Sequence, residues 1–410
     1  MAISARPTGS DKLVVHAGFG VFLDLLLTNQ LGAANNNNPI STQNPTYNTS
    51  FGAPPPLTNG IPTTSQQMFV AANTPTLAQV NSQLMPSPFY HTPTVYEWSM
   101  SVQTQLGANW AVETAYIGNR GDHLDFLHLT GNQPRPGTTP LQARRPWPDF
   151  NQLRFDTYDA YSNYNALTVK VTKRTSKGLS GLVGYTYSKA MDENSGTSET
   201  EQAPQDDNNP NAEYGVADTS LRNRLVVSGV YEFPVGHGRQ FINNTNPVVN
   251  ALVGGWDLSS IFVVQSGYPF TVTSSSDLSN TNAGSARPDR TCGGQGPKSV
   301  NDWFNLNCFN TTALQADLAN GTPRFGNSRR NILVGPGTVD LDASLIKRFV
   351  VADRVNTEFR AEVFNILNHP NFALPNATIG SASAGIISNT VPIGATGYNR
   401  EIQLGLRVTF

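Results

Sequence analysis

The sequence contains no run of about 18 apolar residues, the length a helix needs to span a bilayer, so a helical membrane protein is excluded. Charge is scarce too. Asp, Glu, Lys and Arg make up 14% of the 410 residues, against roughly 25% in soluble domains. The 27 basic residues are balanced by 29 acidic ones, and no basic run offers a nucleic-acid backbone a footprint. Cysteine is limited to Cys292 and Cys308, and the opening MAISARPTGSDK has no apolar core of a secretory signal.

Catalytic patterns are equally thin. Gly18-Phe19-Gly20 lacks the third glycine and the helix of a dinucleotide fingerprint. Ser41 and Ser228 stand in no nucleophile-elbow context. The one compact histidine-carboxylate cluster is DHLDFLH, with Asp122, His123, Asp125 and His128. On a strand, His123 and Asp125 share a face, which allows a metal or proton-transfer site; the plainer reading is polar loop or lumen residues. No enzyme and no cofactor is expected.

What the chain does contain is alternation. In Glu401 to Phe410, EIQLGLRVTF, Ile402, Leu404, Leu406, Val408 and Phe410 alternate with Glu401, Gln403, Gly405, Arg407 and Thr409. A period of two puts one set on each face of a strand. Nine further stretches behave likewise: 12–22, 94–106, 110–118, 165–173, 179–189, 221–233, 254–265, 339–349 and 356–366. In the third, the pattern extends toward His123 and Leu127.

The connections are uneven. Long loops are predicted over 23–92 (with Leu23 to Leu27 as a helical turn at its base), 128–161, 191–220, 267–337 and 367–399. A short hairpin around Leu153 to Tyr158 lies within the second. The links near Gly107, Ser176 and Ala352 are short, and Pro234 to Val253 is moderate. Short and long links therefore alternate, the asymmetry of an outer-membrane barrel with short periplasmic turns and long outer loops. Several structureless loops above 30 residues are foreign to a soluble sandwich.

The predicted fold is all-β: an antiparallel transmembrane β-barrel, partial, with ten strands visible. Aromatic residues near the strand ends, among them Tyr90, Tyr96, Trp98, Trp110, Tyr185, Tyr187, Tyr231, Phe233, Trp256, Phe262, Phe349, Phe364 and Phe410, suit a headgroup belt or ordinary packing. Arg407, Arg360, Glu358 and Glu362 are expected in the lumen, paired with one another or with a plug. Asp192, Glu193, Glu199, Glu201, Asp206, Asp207, Glu213 and Asp218 form an acidic loop, solvated or calcium-binding, whose spacing fits no EF-hand. Cys292 and Cys308 sit in one Gly/Pro/Asn-rich region and form either a disulfide in an oxidising compartment or two free thiols.

Five stretches carry a family resemblance: YNALTVKVTKRTSKGLSGLVGYTYSKAMD at Tyr164 to Asp192, SLRNRLVVSGVYEFPVG at Ser220 to Gly236, GGWDLSSIFVVQSGYPFTV at Gly254 to Val272, RAEVFNILNHPNF at Arg360 to Phe372, and the ending LRVTF. In this order they resemble the C-terminal barrel of Oar-like TonB-dependent receptors, the branch with a carboxypeptidase-regulatory-like domain in front. The resemblance spans nearly the whole chain.

It implies residues 1–410 as the C-terminal part of a larger, 22-stranded barrel in the cell outer membrane. It also implies Phe410 as the terminal aromatic read by the insertion machinery, outer-membrane lipid as the surroundings, and plug, TonB and a large ligand as partners. The family's plug, TonB-contacting box and export signal are not found in this sequence, so the expectation is a receptor or transporter barrel fragment inactive in TonB-coupled transport. A soluble or surface-attached β-rich adhesin, or a carbohydrate-binding module with its apolar faces packed between two sheets, is the alternative.

Overall fold

A computed structural model describes residues 1–9, 12–24, 84–85, 90–148, 151–196, 203–243, 246–351, 355–392 and 399–410. Eleven strands form one continuous antiparallel path: β1 (Ala2–Ala5), β2 (Leu13–Leu23), β3 (Thr94–Leu106), β4 (Trp110–Gly131), β5 (Leu153–Ser176), β6 (Leu179–Asp192), β7 (Asn223–Glu232), β8 (Trp256–Gln265), β9 (Thr338–Val351), β10 (Val355–Phe364) and β11 (Glu401–Thr409). Each pairs with its neighbours in chain order. Two short strands, Leu84–Met85 and Gly215–Val216, join the sheet beside β5 and β6.

The ten expected strands are all present, with β1 added at one edge. The strand ends joined by links 6–12, 107–109, 177–178, 233–255 and 352–354 fall at one rim, and the strand ends joined by the long connections fall at the other. At the tightest hairpin, Lys177 and Gly178 both have positive φ, 52° and 77°, the backbone of a two-residue primed turn that matches strand twist. Gly178 is required there, because a Cβ would stand 2.6 Å from the Glu232 carbonyl oxygen.

Register carries the alternation from strand to strand without a slip of face. Phe19 pairs with Trp98, Met100 with Tyr116, Tyr116 with Leu167 and Leu167 with Tyr187. Further along, Val183 pairs with Val227, Val227 with Phe262, Phe262 with Leu341, and Ala361 with Leu404. One face of the sheet is thus apolar across its width.

Burial runs opposite to that of a water-soluble sheet. On the apolar face Met100 is 53% exposed, Leu167 45% and Tyr187 44%. On the other face Ala115, Ala166, Ser188, Asp257 and Asp340 are buried. Ile117, Val230 and Ile261 depart from the pattern as exposed apolar residues of the polar face. Among the described residues the apolar faces are not sandwiched against a second sheet, which corrects the two-layer alternative.

The predicted loop 128–161 is corrected as well. Within 128–161, β4 continues to Gly131 and β5 begins at Leu153, so Leu153 to Tyr158 is the start of a 24-residue strand and not a separate hairpin. Register shifts at Gly121/Leu124, Leu124/Phe126 and His128/Gly131 bend this projecting ladder, as bulges do. Residues 25–83, which hold most of the 23–92 loop and its proposed helical turn, lie outside the described residues.

The segments 267–337 and 367–392 build a lobe of their own. Pro269–Phe270 pairs with Leu333–Val334, Thr273–Ser274 with Thr378–Ile379, Asp289–Arg290 with Phe309–Asn310, and Gln295–Ser299 with Asp302–Phe304. Phe270, Val272, Phe304, Cys308, Phe309 and Leu333 form its buried core.

Candidate functional site

Two girdles bound the apolar face. At the short-link rim the Lys173 ammonium lies 5.5 Å from the Trp110 ring centre, and that of Lys347 lies 5.3 Å from Trp256. Each lysine is also the cross-strand partner of its tryptophan. An amphipathic indole beside a cation with an apolar stem suits the headgroup boundary. Toward the long-link rim, Arg222 lies 5.7 Å over the Tyr187 ring and donates to its hydroxyl at 3.0 Å, while Tyr185 donates to Asn223 at 2.8 Å.

Beyond this second girdle the same face turns polar, with Arg120 opposite Asn163 and Asn165 opposite Lys189. From Trp110 to Gly118 the strand rises about 27 Å, close to the length a tilted strand needs to cross hydrocarbon. The outward face is therefore apolar over one membrane thickness and polar above it.

The polar face carries an ion-pair ladder on β8, β9 and β10. Arg348 binds Asp257 and, at 2.9 Å, Glu358; Arg360 binds Glu358 at 2.8 Å and approaches Glu362 at 3.8 Å. Three of the four residues expected in the lumen are joined here, and Arg407 stands opposite Glu358 on β11. Arg348 and Asp257 complete the ladder; strand alternation alone does not single them out.

Above the long-link rim the described part of the acidic segment is only partly solvated, which narrows the expectation. Glu193, Asp207 and Glu213 are buried. Glu213 pairs with Arg287, Asp192 and Asp218 with Arg330, and Asp207 with His128 at 3.2 Å. These carboxylates are shared among Arg287, Arg330 and His128, and no group of three metal-ligating side chains occurs among the described residues. Glu199 and Glu201 lie outside the described residues.

Glu193 accepts the Tyr161 backbone N–H at 3.1 Å, but burial dominates and pushes its carboxyl up to about 7. Asp289 behaves oppositely. Arg324 grips it with two donors at 2.9 and 2.6 Å, and that hydrogen bonding holds its carboxyl below the usual range despite burial.

The DHLDFLH residues are not brought into one site. Asp122 pairs with Arg120 at 2.8 Å, and the His123 ring lies 5.1 Å from that of His91. His128 points to Asp207, with its other ring nitrogen 3.1 Å from Thr157. Ser228 is a strand residue of β7 and Gly18-Phe19-Gly20 belongs to β2; Ser41 lies outside the described residues. Cys292 and Cys308 are bonded, with Cα atoms 4.9 Å apart, inside the lobe. Phe410 follows β11 and is fully exposed.

No curated protein sequence matches the chain. Among solved structures it is similar to the outer membrane transporter YddB from Escherichia coli, at 8% identity and TM-score 0.48, over 99% of this chain and 39% of that one. BauA, the ferric preacinetobactin receptor from Acinetobacter baumannii, is similar at 11% identity and TM-score 0.43, over 99% and 35%. The FrpB iron transporter from Neisseria meningitidis is similar at 11% and 0.42, over 99% and 38%. The chain thus spans well under half the length of each.

The family model described as Outer membrane beta barrel domain matches residues 1–403, all but the last few positions of the sheet described above. By that match the chain belongs to the outer membrane beta barrel domain family, and it is a protein of the outer membrane rather than an enzyme.

Proposed function

We propose that the chain is the C-terminal barrel portion of an Oar-like TonB-dependent receptor, which binds a large ligand through the segments beyond its long-link rim. The observation that carries this reading is the inverted burial: apolar residues such as Met100 and Leu167 are exposed on one face while Asp257 and Asp340 are buried on the other. Lipid is the solvent that makes this arrangement favourable, since it removes the cost of exposing apolar surface to water.

Strand parity supports a partial barrel. Eleven alternating strands leave β1 and β11 as edges that run in the same direction, so pairing them with each other would make a parallel ladder. An all-antiparallel closure takes an odd number of further strands. Unpaired edges in hydrocarbon would cost several kcal/mol for each unsatisfied backbone group, which favours a chain that works inside a larger receptor.

The remaining roles follow from the resemblance. Phe410 is read by the insertion machinery, a plug fills the lumen beside the Arg348–Glu358–Arg360 ladder, and TonB acts through that plug. Without the plug this portion binds ligand but does not drive uptake.

The test is topological. The full chain, carrying an epitope after Asn320 and directed to the envelope of a Gram-negative host, is expected in the outer-membrane fraction with the epitope reached by antibody on intact cells. Recovery as a soluble monomer, or an epitope reached only after lysis, overturns the reading.

A further inference from the structure

The link 233–255 differs from its neighbours at the short-link rim. Links 6–12 and 352–354 carry Arg6, Asp11, Lys12, Asp353 and Arg354, as turns in water do, whereas no residue from Gln240 to Trp256 is charged. The link also holds a helix, α1 (Pro247–Val253). Asn246 caps it by accepting the Val249 N–H at 2.8 Å, and Pro247 occupies its first position, the residue types that open a helix.

Two side chains of the main sheet fix where α1 lies. Trp256 and Lys347 stand opposite each other on β8 and β9, at the edge of the apolar face. The Trp256 indole N–H donates to the Leu252 carbonyl at 2.9 Å, and the Lys347 ammonium donates to the Gly254 carbonyl. Both donors reach out from the membrane-facing side, so the last turn of α1 is folded against that side and not beneath the lumen. Lys347 is buried there. The two bonds also occupy carbonyls that a helix end leaves without an internal partner.

The arm that precedes the helix is tied to it. The His237 N–H donates to the Asn250 side-chain oxygen at 2.7 Å. Within the arm, the Phe241 N–H donates to the Pro234 carbonyl and the Gly236 N–H to the Phe241 carbonyl, both at 2.9 Å. Asn250 is therefore engaged with the protein, and what α1 leaves open is apolar. Val248 and Leu252, one turn apart on one helix face, are 70% and 68% exposed. Phe241 and Ile242 on the arm are exposed as well.

An exposed apolar helix face can be covered by lipid, by a second copy of the chain or by another protein, and position favours lipid. α1 is bonded to the Trp256–Lys347 girdle, where the apolar face of the sheet ends, so Val248 and Leu252 prolong a surface that already faces hydrocarbon. Charge sets the kind of contact. Interfacial helices commonly carry Lys or Arg for anionic headgroups; α1 has neither, so apolar insertion alone holds it. Its length is about 10 Å, and such helices sit about 5–10 Å into the boundary between headgroups and acyl chains.

We propose that α1 is an interfacial foot: it lies along the outer side of the sheet at the short-link rim and sets Val248 and Leu252 into the headgroup–acyl boundary of the adjoining leaflet. Its partner is a phospholipid, zwitterionic or anionic. The inference rests on the outer-membrane placement of the sheet; the receptor reading decides only that this leaflet is the periplasmic one.

The full chain, with Cys292 and Cys308 bonded, is purified from the outer-membrane fraction as Val248→Cys, Leu252→Cys or Asn320→Cys, the last an exposed position of the lobe. Each is labelled with a nitrobenzoxadiazole fluorophore and reconstituted into vesicles of phosphatidylcholine brominated near the top of its acyl chains, with and without phosphatidylglycerol. Bromine should quench the labels at 248 and 252 at least about twofold more than the label at 320, and aqueous iodide should do the reverse. Phosphatidylglycerol should change neither.

Quenching of tryptophan fluorescence by the brominated lipid reports that the sheet has entered the bilayer. A chain that enters while 248 and 252 stay open to iodide overturns this inference and leaves the receptor reading intact. Labels shielded from both quenchers would mean that protein covers the helix face, which overturns it too, as would bromine quenching that needs phosphatidylglycerol. A chain whose tryptophans escape bromine has not entered the bilayer, which defeats the receptor reading and this inference with it.

Discussion

Leu258 and Leu345 stand directly opposite each other in the ladder between β8 and β9, and both belong to the apolar face. Ser259, one position along, pairs with Ser344 on the polar face. Ala343, on the same face and four residues along β9 from the Lys347 girdle, lies halfway through the apolar band, so a charge there would sit near the bilayer midplane. Ala343→Arg should cost about 2–4 kcal/mol, whereas Ser259→Lys should cost less than about 1 kcal/mol. Urea unfolding in lipid vesicles, followed by tryptophan fluorescence, measures both; equal costs would remove the distinction between the faces.

The disulfide acts on a different part of the molecule. Cys308 is buried in the lobe core and its bond to Cys292 closes a loop with a sequence separation of 16, for which chain entropy predicts a stabilisation of about 3 kcal/mol. Cys292→Ser with Cys308→Ser should make residues 266–337 sensitive to protease on intact cells. The main sheet should keep its β-rich circular dichroism, since its ladders do not pass through the lobe.

Glu193 makes one local pH dependence predictable. Its carboxyl is raised to about 7 by burial. Below the ordinary carboxylate value both folded and unfolded chains carry the proton. Between that value and about 7 only the folded chain does, so stability falls as pH rises through this window and levels off above it. Hydrogen-exchange protection of the Tyr161 amide, which donates to Glu193, should therefore be lower at pH 8 than at pH 5. Glu193→Gln keeps an acceptor without the charge and should abolish the difference; the same pH dependence in the variant would assign it elsewhere.

How far the fold is legible in the sequence depends on the range over which its causes act. The long strands were readable because a period of two is local: Ile402, Leu404, Leu406 and Val408 declare one face with no knowledge of β10. The projecting part of the β4–β5 ladder was hidden because its bulges break that period around Leu124 and Phe126. The four residues of β1 are too few to show one.

The lobe was illegible for another reason. Phe270, Phe304 and Leu333 come from distant turns in segments of two to five residues, so no periodicity announces the core. The junction of the lobe with the acidic segment needs Glu213 and Arg287, 74 positions apart. Their opposite charges were visible in the sequence, but their meeting was not.

Arg330 provides the sharpest test of that long-range assembly. Its guanidinium, almost fully buried, binds the Asp192 side chain at the end of β6, donates to the Asp192 backbone carbonyl at 2.7 Å and approaches Asp218 at 3.7 Å; its Nε donates to the Glu213 carbonyl at 3.1 Å. One side chain therefore fastens the lobe to the sheet and to the acidic segment. Arg330→Ala leaves buried carboxylate and carbonyl oxygens without their donor, which should cost about 3–5 kcal/mol. Arg330→Met with Asp192→Asn removes both charges and should recover part of that loss, because the uncompensated carboxylate is the larger share of the penalty. Protease protection of residues 203–214 and 324–331 reads the outcome. A double variant no better protected than Arg330→Ala would mean that hydrogen bonds to the backbone, rather than the ion pair, hold the lobe in place.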